Sequence, residues 1–269
     1  MKRRRFLALS VAALACPAEA APQTWRGRAL GAEVSLTVQG LDAGQGPRLW
    51  RRVAREIELV EQAVSLFRAS ELVRLNTSGV LVNPGTVLRA LLDLSDRVHH
   101  VTEGAFDPTV QALWEGRSET GWHRIDRTGI HLPPGMALTF NGVAQGFAAD
   151  RLAALMRAEG LTDVLIDAGE VLALGPHPVT VAAADGAPLK RLTLRDRALA
   201  TSSPMATRLT DGRPHILHPT RPARHGTVSV SAPSAALADA LSTAFCLMTE
   251  GEIARALQEF PEACVETLA

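Results

Sequence analysis

Apolar positions recur along the chain with the periods of both strands and helices. Between Leu30 and Val38 apolar and polar residues alternate, which predicts a strand with one buried face. Apolar residues at steps of three and four instead predict amphipathic helices over residues 48–67 and 86–102, and Gly104 ends the second helix. The first part of the chain is therefore expected to fold as a strand followed by two surface helices.

The segment between residues 138 and 175 combines an apolar strand, a turn of small residues and a helix. Residues 138–140 predict the strand, residues 141–146 the turn, and the helical pattern continues to Gly160 before a second strand at residues 164–167. Glycine and alanine at a strand-to-helix turn let backbone N–H groups and the positive helix end approach an anion such as a diphosphate. An ordinary crossover whose glycines only form turns fits the same pattern.

Short apolar segments separated by turns dominate the second half of the chain. They predict a short hairpin over residues 128–140, strands over residues 179–183, 190–194, 198–201, 227–231 and 263–268, and helices over residues 238–245 and 250–260. No repeat, linker or low-complexity segment interrupts this pattern. We therefore predict that residues 21–269 form one α+β domain in which mixed or antiparallel sheets pack against helices.

Residues 1–20 have the layout of an export signal. Lys2 and three arginines precede an apolar run too short to span a bilayer, and Ala18 and Ala20 provide small residues at both cleavage-recognition positions. The arginines also fit the twin-arginine pattern, with a plain Sec signal as the alternative. The residues before Cys16 match a lipoprotein cleavage site only weakly. We expect a periplasmic protein that meets a membrane only through its partner or through such a lipid anchor.

Charge and cysteine content narrow the classes of function. The chain has 28 Lys and Arg against 28 Asp and Glu. Cleavage after residue 20 removes four basic residues and one acid, so the net charge becomes −3 and no basic field for nucleic acid is left. Cys246 lies in an apolar run, which favours a buried thiol, although a disulfide with Cys264 is allowed in an oxidising compartment.

Three oxygen-bearing side chains share one face of the helix predicted near the C-terminus. Asp239 and Thr243 are four residues apart and Ser242 is three residues from Asp239, so their oxygens can point the same way. Hard oxygen ligands with a single carboxylate suit Mg²⁺, which completes its shell with water or substrate phosphate. A solvated aspartate on a helix of small residues is the alternative.

Two histidines lie close together in the segment before the last predicted helices. His215 and His218 are three residues apart, but Pro219 argues against a helix that would hold both on one metal. The neighbourhood lacks the Cys/His quartet of a structural zinc site. A single histidine that acts as a general base, or that simply caps the loop, fits better.

Seven short motifs occur in an order that resembles one known family. They are LGA at 30–32, SELVRLN at 70–76, GAFDPT at 104–109, AQGFAAD at 144–150, ATS at 200–202, HILHP at 215–219 and ADALST at 238–243. Each motif is weak alone, but the ordered set resembles the ApbE family, the FAD:protein FMN transferases. These are bacterial flavin transferases that are often exported to the periplasm. The resemblance covers nearly the whole of residues 21–269.

The resemblance implies a T-fold-like α+β fold and a defined reaction. FMN would be transferred from FAD, with Mg²⁺, to a Thr or Ser hydroxyl on the flavoprotein domain of a redox complex. The metal ligands would be the Ala144 carbonyl, Asp239 and Thr243, with Ser242 as a further candidate. His215 would be the base and Asp107 a second catalytic residue. The expected flavin contacts are Leu30, Phe67, Ala105, Phe106, Asp107, Asn141, Phe147 and Leu217.

Several positions depart from the family pattern. Gln145 stands where a lysine is usual, Glu170 ends an Ala-Gly-Glu in place of Gly-Gly-Asp, and His218 replaces the aspartate before the proline. They leave two alternatives open: hydrolysis of FAD to FMN and AMP at the same site, or a flavin-binding or chaperone protein without turnover. The chain contains no Ser/Thr-Gly-Ala-Thr acceptor motif, which favours a modifier over a flavoprotein substrate.

Overall fold

A computed structural model describes residues 21–42, 44–122, 129–209 and 211–269. The export signal predicted at residues 1–20 lies outside this part of the chain, as does the start of the hairpin predicted at residues 128–140. Within the described residues, no helix is both long and apolar enough to cross a membrane.

One antiparallel sheet of seven strands organises the described residues. The strands are β1 (Gln23–Ala29), β2 (Ala32–Val38), β3 (Val164–Asp167), β4 (Val171–Ala182), β5 (Pro188–Ser202), β6 (Val228–Ala232) and β7 (Cys264–Leu268). They lie side by side in chain order, each antiparallel to the next. The predicted α+β class with antiparallel strands is confirmed.

Seven α-helices and a short 3₁₀-helix accompany this sheet in the described residues. They are α1 (Gly46–Val64), α2 (Glu71–Ser78), α3 (Thr86–Val101), the 3₁₀-helix Pro108–Val110, α4 (Gln111–Trp114), α5 (Ala144–Ala158), α6 (Ala235–Phe245) and α7 (Glu250–Glu259). The two long helices expected at residues 48–67 and 86–102 are present as α1 and α3, and the helix expected before Gly160 is present as α5. The buried faces of α1 and α3 follow the three- and four-residue spacing that predicted them.

Apolar side chains on the two faces of the sheet belong to two clusters. Ile166, Leu172 and Ala198 are register partners on β3, β4 and β5, and they join the main core together with the buried helix faces. Val171 and Leu199 point to the opposite face, where a smaller cluster is built from side chains along β4 and β5. The helices and the loops between them therefore lie on one side of the sheet.

The strand predicted at residues 138–140 is wrong. The backbone N–H and carbonyl of Leu138 are both bonded to the side chain of Asn76, each at 2.8 Å, and the N–H of Thr139 donates to the Pro108 carbonyl. These groups are thus satisfied without a strand partner. The hairpin is wrong for the same region, since residues 129–140 form a single bridge between His131 and Val80.

Strand β1 was missed by the sequence pattern. It is an edge strand, and Trp25 is its one large apolar side chain before Ala29. The Trp25 ring lies directly over Gly27, where a Cβ would stand 2.2 Å from a ring carbon. One aromatic residue covering a glycine gives no alternating signal, although it buries apolar surface as effectively as two aliphatic residues would.

Cys246 and Cys264 are both free thiols. Cys246 is fully buried at the end of α6, as its apolar neighbours predicted, and burial raises the pKa of its thiol. Cys264 is exposed at the start of β7. The buried Cys246 thiol therefore lacks the partly exposed setting of a reactive cysteine.

Helices α5 and α6 cross in close contact, and this contact positions the candidate site. Gly146 lies in the first turn of α5, where an added Cβ would stand 2.3 Å from the Ala235 carbonyl oxygen. One turn later, Asp150 accepts hydrogen bonds from Ser234 Oγ and from the N–H groups of Ala235 and Ala236, at 2.7, 2.7 and 3.0 Å. A side chain of α5 therefore caps the positive end of α6.

Gly146→Ala is expected to lower the free energy of unfolding by about 3 kcal/mol, because the new methyl group meets backbone atoms that cannot move aside. Gly251→Ala is the matched control. Gly251 lies in α7 with no atom within 4 Å of a Cβ, so alanine should change the stability by less than about 1 kcal/mol. Urea denaturation of both variants tests the contact, and equal stabilities would contradict it.

Candidate active site

Helix α6 presents its predicted oxygen ligands toward the start of α5. Asp239 is 4% exposed, and its Oδ2 lies 3.4 Å from the backbone N–H of Gly146. Thr243, one turn further along, is half-buried. Ala144 is buried as the first residue of α5. The helix predicted around the Asp and Thr is confirmed, and its acidic side chain faces the small-residue turn.

A chain of hydroxyl groups joins α6 to the end of β5. The Oγ of Ser202 lies 2.8 Å from the Oγ of Ser242 and 3.3 Å from the Oγ1 of Thr243. Ser242 also donates to the carbonyl of Asp239 at 3.0 Å, within its own helix. The Ser242 hydroxyl proton is thereby used in a bond within the helix. The Thr243 hydroxyl is held in place from outside the helix, by Ser202.

Gly142 is the point at which three segments meet. A Cβ added there would lie 3.0 Å from Thr243 Oγ1 and 3.4 Å from a ring carbon of Phe106. The absence of a side chain at Gly142 therefore lets the turn 141–146 approach both the α6 hydroxyl and the 104–107 loop. Asn141 precedes it and is half-buried.

The donor atoms at this junction fit a hard cation. They are a buried carboxylate, hydroxyl oxygens and the backbone of the first turn of α5, with no thiolate or imidazole among them. Among the described residues, no group of three or more His, Cys, Asp or Glu side chains could hold a metal. A site with one carboxylate suits Mg²⁺ that keeps water or substrate phosphate as further ligands.

The loop that carries Asp107 is fixed from several sides. Asp107 has extended backbone angles, and its Oδ1 accepts the N–H and the hydroxyl of Thr109 at 2.8 and 2.7 Å. Buried Phe106 is bonded through its N–H to Thr102 Oγ1 and through its carbonyl to His99 Nδ1. Ala105 is also buried. The Asp-Pro pair thus caps a short helix, and this cap also fixes the orientation of the carboxylate.

His215 is held in one tautomer. Its Nδ1 lies 3.0 Å from the Pro204 carbonyl oxygen and 3.1 Å from the Thr207 carbonyl oxygen. Carbonyl groups only accept hydrogen bonds, so Nδ1 carries a proton, and in the neutral ring Nε2 is the atom with the lone pair. This arrangement prepares Nε2 to accept a proton. Leu217, two residues further along, is half-buried.

Leu30 and Phe67 form a second group of predicted flavin contacts. Leu30 has a positive φ of 50°, and its N–H donates to Glu61 Oε1 at 2.6 Å. Phe67 is 65% exposed, with its ring over Gly31, where a Cβ would lie 2.9 Å from a ring carbon. An exposed aromatic ring held against backbone is suited to stacking on a planar ligand.

Phe147 is the remaining predicted flavin contact. It lies one residue after Gly146 in α5 and packs partly against the main core, with the rest of the ring accessible.

Two of the departures from the motif pattern, Gln145 and Glu170, have side chains at the turn between β3 and β4. The side chain of Gln145 lies against Gly169, where a Cβ would stand 2.7 Å from its amide nitrogen. Glu170 is buried, and its Oε2 accepts the N–H of Thr201 at 3.2 Å. The uncharged Gln145 amide therefore packs against the residue before Glu170, whose carboxylate reaches β5.

Four residues that shape the site were given no role by the sequence. Ser202 and Asp150 both lie in recognised motifs. The polar side chain at each position was the sequence feature that could have pointed to a role in the site. Gly142 lies in the predicted turn, but its close approach to Thr243 depends on the packing of α6. Glu61 lies 31 residues from the Leu30 N–H it accepts, so no local pattern marks it.

Comparison with known proteins identifies what the chain resembles. The model of the ApbE family matches residues 30–265. The chain is 27% identical over 187 residues to a FAD:protein FMN transferase of Salmonella typhimurium, covering 58% of this chain and 53% of that protein. It is 28% identical over 235 residues to the FAD:protein FMN transferase of Chlamydia muridarum, covering 73% and 74%. The match thus spans about half the length of the Salmonella relative.

The chain also has the fold of a solved flavin transferase structure. The flavin transferase ApbE from Vibrio cholerae superposes with a TM-score of 0.75 at 19% identity, covering 91% of this chain and 93% of that one. At this identity the likeness concerns the fold, and the expected ApbE-like architecture is confirmed.

Proposed function

Since the chain belongs to the ApbE family, we propose that it transfers FMN from FAD to a threonine or serine hydroxyl of an acceptor protein in a Mg²⁺-dependent reaction. The observation that carries the proposal is the junction of Asp239, Thr243 and Ser202 with the first turn of α5. Its oxygen donors suit a cation on a diphosphate, and Gly142 lets the turn 141–146 approach them closely. The names of the curated relatives supply the reaction class.

The proposed reaction breaks the phosphoanhydride bond of FAD and forms a phosphoester on the acceptor hydroxyl. The acceptor oxygen forms a bond to the FMN phosphorus, the bond from that phosphorus to AMP breaks, and the hydroxyl proton leaves to a base. His215 is the proposed base, because the carbonyl bonds hold a proton on Nδ1 and make Nε2 the basic atom of the neutral ring. Such a transfer depends mainly on positioning and on charge neutralisation.

The protein's part in this reaction divides among the groups described above. Asp239, Thr243 and the Ala144 carbonyl would hold Mg²⁺, and Ser202 orients the Thr243 hydroxyl. When bound, Mg²⁺ supplies positive charge to the diphosphate and to the departing AMP. Phe67 offers a surface for the isoalloxazine ring.

The proposed acceptor is the flavoprotein domain of an exported or periplasm-facing redox complex. This part of the proposal rests on the export-signal layout of residues 1–20, with Lys2 and the arginines ahead of an apolar run. An exported modifying enzyme needs its acceptor hydroxyl in the same compartment. The proposal therefore pairs the chain with a domain that carries a Ser/Thr-Gly-Ala-Thr motif.

Incubation of residues 21–269 with FAD, Mg²⁺ and an acceptor domain that carries a Ser/Thr-Gly-Ala-Thr motif tests the proposal. The expected product is acceptor with FMN bound to its last threonine, detected by mass spectrometry and by flavin fluorescence in a denaturing gel. The same acceptor with that threonine changed to valine is the control and should stay unlabelled. Free FMN and AMP without labelled acceptor would replace the proposal by FAD hydrolysis. Tight FAD binding with neither product would replace it by a binding protein.

A further inference from the structure

The imidazole of His218 closes the turn that follows Leu217. Its Nδ1 accepts the backbone N–H groups of Thr220 and Arg221 at 3.2 and 3.0 Å, and the Thr220 hydroxyl lies 3.3 Å from the same nitrogen. Backbone N–H groups only donate, so Nδ1 is unprotonated and the ring proton is on Nε2. A carboxylate accepts the N–H groups two and three residues ahead in the same way when aspartate opens a turn.

The other side of the His218 ring meets the loop that carries Asp107. The ring is half-buried and lies near the backbone of Gly104 and the carboxylate of Asp107. Nδ1 already accepts the N–H groups of the turn. The Nε2–H group is therefore the one that faces the 104–107 loop. One side chain therefore ties the 215–221 segment to the 104–107 loop.

The two neighbouring histidines hold opposite tautomers. His215 keeps its proton on Nδ1 and presents a basic Nε2, whereas His218 keeps its proton on Nε2 and buries its basic nitrogen in the turn. His218 is thus unsuited to accept a proton from a substrate. Its geometry is that of a group that holds other groups in place.

We propose that His218 is a positioning residue, which closes its turn through Nδ1 as an aspartate would and fixes the Asp107 loop through Nε2–H. The proposal rests on the proposed function for the identity of the ligand, since the loop it fixes carries the expected flavin contacts Phe106 and Asp107. The departure from the family pattern at this position thereby preserves the local structure. It also adds a proton donor that a carboxylate lacks.

The charges around His218 set the pH range in which it works. Burial lowers the pKa of His218, the carboxylate of Asp107 opposes this effect, and the Arg221 guanidinium adds to it. Arg221 is itself paired with Glu252 at 2.8 Å. The neutral ring is favoured in the folded state, so its stabilising contribution is complete above the ordinary histidine pKa. That contribution is lost as the pH falls from there through the lowered value.

The tautomer can be measured without any turnover. In residues 21–269 labelled with ¹⁵N-histidine, long-range ¹H–¹⁵N spectra at neutral pH should show His218 with its proton on Nε2 and His215 with its proton on Nδ1. His218→Asn and His215→Asn assign the two signals. A His218 ring protonated on Nδ1, or on both nitrogens, would overturn the proposal even if FMN transfer is observed.

Binding of FAD, followed by flavin fluorescence, measures the positioning role. His218→Ala should weaken FAD binding about tenfold, since two turn bonds and the loop bond are lost. His218→Asp and His218→Asn restore the turn acceptor and should recover most of that affinity. Affinity of the wild type should fall in acid, and His218→Asn should abolish that fall.

Two outcomes of the binding experiment would overturn the inference. They are a folded His218→Ala protein that binds FAD as well as the wild type, or an acid-dependent loss that persists in His218→Asn. Should the alanine variant unfold, the tautomer measurement on the wild type decides. If the tautomers and FAD affinities are as expected but no acceptor is labelled, only the transfer reaction is rejected. His218 then remains a positioning residue of the flavin loop.

Discussion

Asp239→Asn is expected to lower kcat/KM for FMN transfer by about 10³-fold or more, because it removes the one carboxylate from a metal site of otherwise neutral oxygens. The amide oxygen of asparagine still accepts the Gly146 N–H, and its size matches the buried position. The fold should therefore survive while the charge is lost. Steady-state rates with the acceptor domain, measured across Mg²⁺ concentrations, give the size of the loss.

The metal assignment has its own readout, independent of rate. Ligands that bind the folded state raise its melting temperature, so Mg²⁺ with FAD should stabilise the wild type more than FAD alone does. In Asp239→Asn this additional stabilisation should disappear. Asp163→Asn is the matched control, since Asp163 is half exposed and its partner is His177, away from the junction. An Asp239→Asn enzyme with unchanged Mg²⁺ dependence would remove Asp239 from the metal site.

His215→Asn is expected to lower the rate of FMN transfer by about 10²–10⁴-fold, the usual contribution of a positioned general base. Asparagine can still donate to the Pro204 and Thr207 carbonyls, so the loop keeps its anchors while the basic Nε2 is lost. The loss should fall on kcat, with FAD binding little changed. Single-turnover rates with saturating FAD separate the two.

The pH dependence of the same variant provides the check. In the wild type the rate should rise with pH as His215 gives up its proton and becomes able to act as a base. This limb of the profile should be missing in His215→Asn. A variant that keeps both the wild-type rate and the wild-type pH profile would show that another group accepts the proton, or that none is needed.

Local periodicity was sufficient to predict the long helices and most strands of this chain. The spacing of Asp239 and Thr243 placed both on one face of α6, because side chains four residues apart on a helix point the same way. The turn before α5 was likewise predicted from its small residues. Such features depend on residues close together in sequence, so the sequence pattern carries them directly.

The remaining features depend on contacts between distant residues. Asn76 satisfies the backbone of Leu138 from 62 residues away and thereby replaces a predicted strand with an irregular segment. Ser202 reaches Ser242 across 40 residues, and Gly142 meets Thr243 only because α5 and α6 cross at Gly146. No period in the sequence encodes these distances, and the site geometry follows from them.

The junction of α5 and α6 as the metal and diphosphate site is the central claim, and anomalous diffraction tests it most directly. Crystals of residues 21–269 grown with FAD and Mn²⁺ in place of Mg²⁺ should show one strong anomalous peak. We predict that it lies within about 2.0–2.3 Å of the Ala144 carbonyl oxygen, the Asp239 carboxylate and the Thr243 hydroxyl, beside the FAD diphosphate. A peak bound elsewhere, with the diphosphate away from α6, would contradict the account.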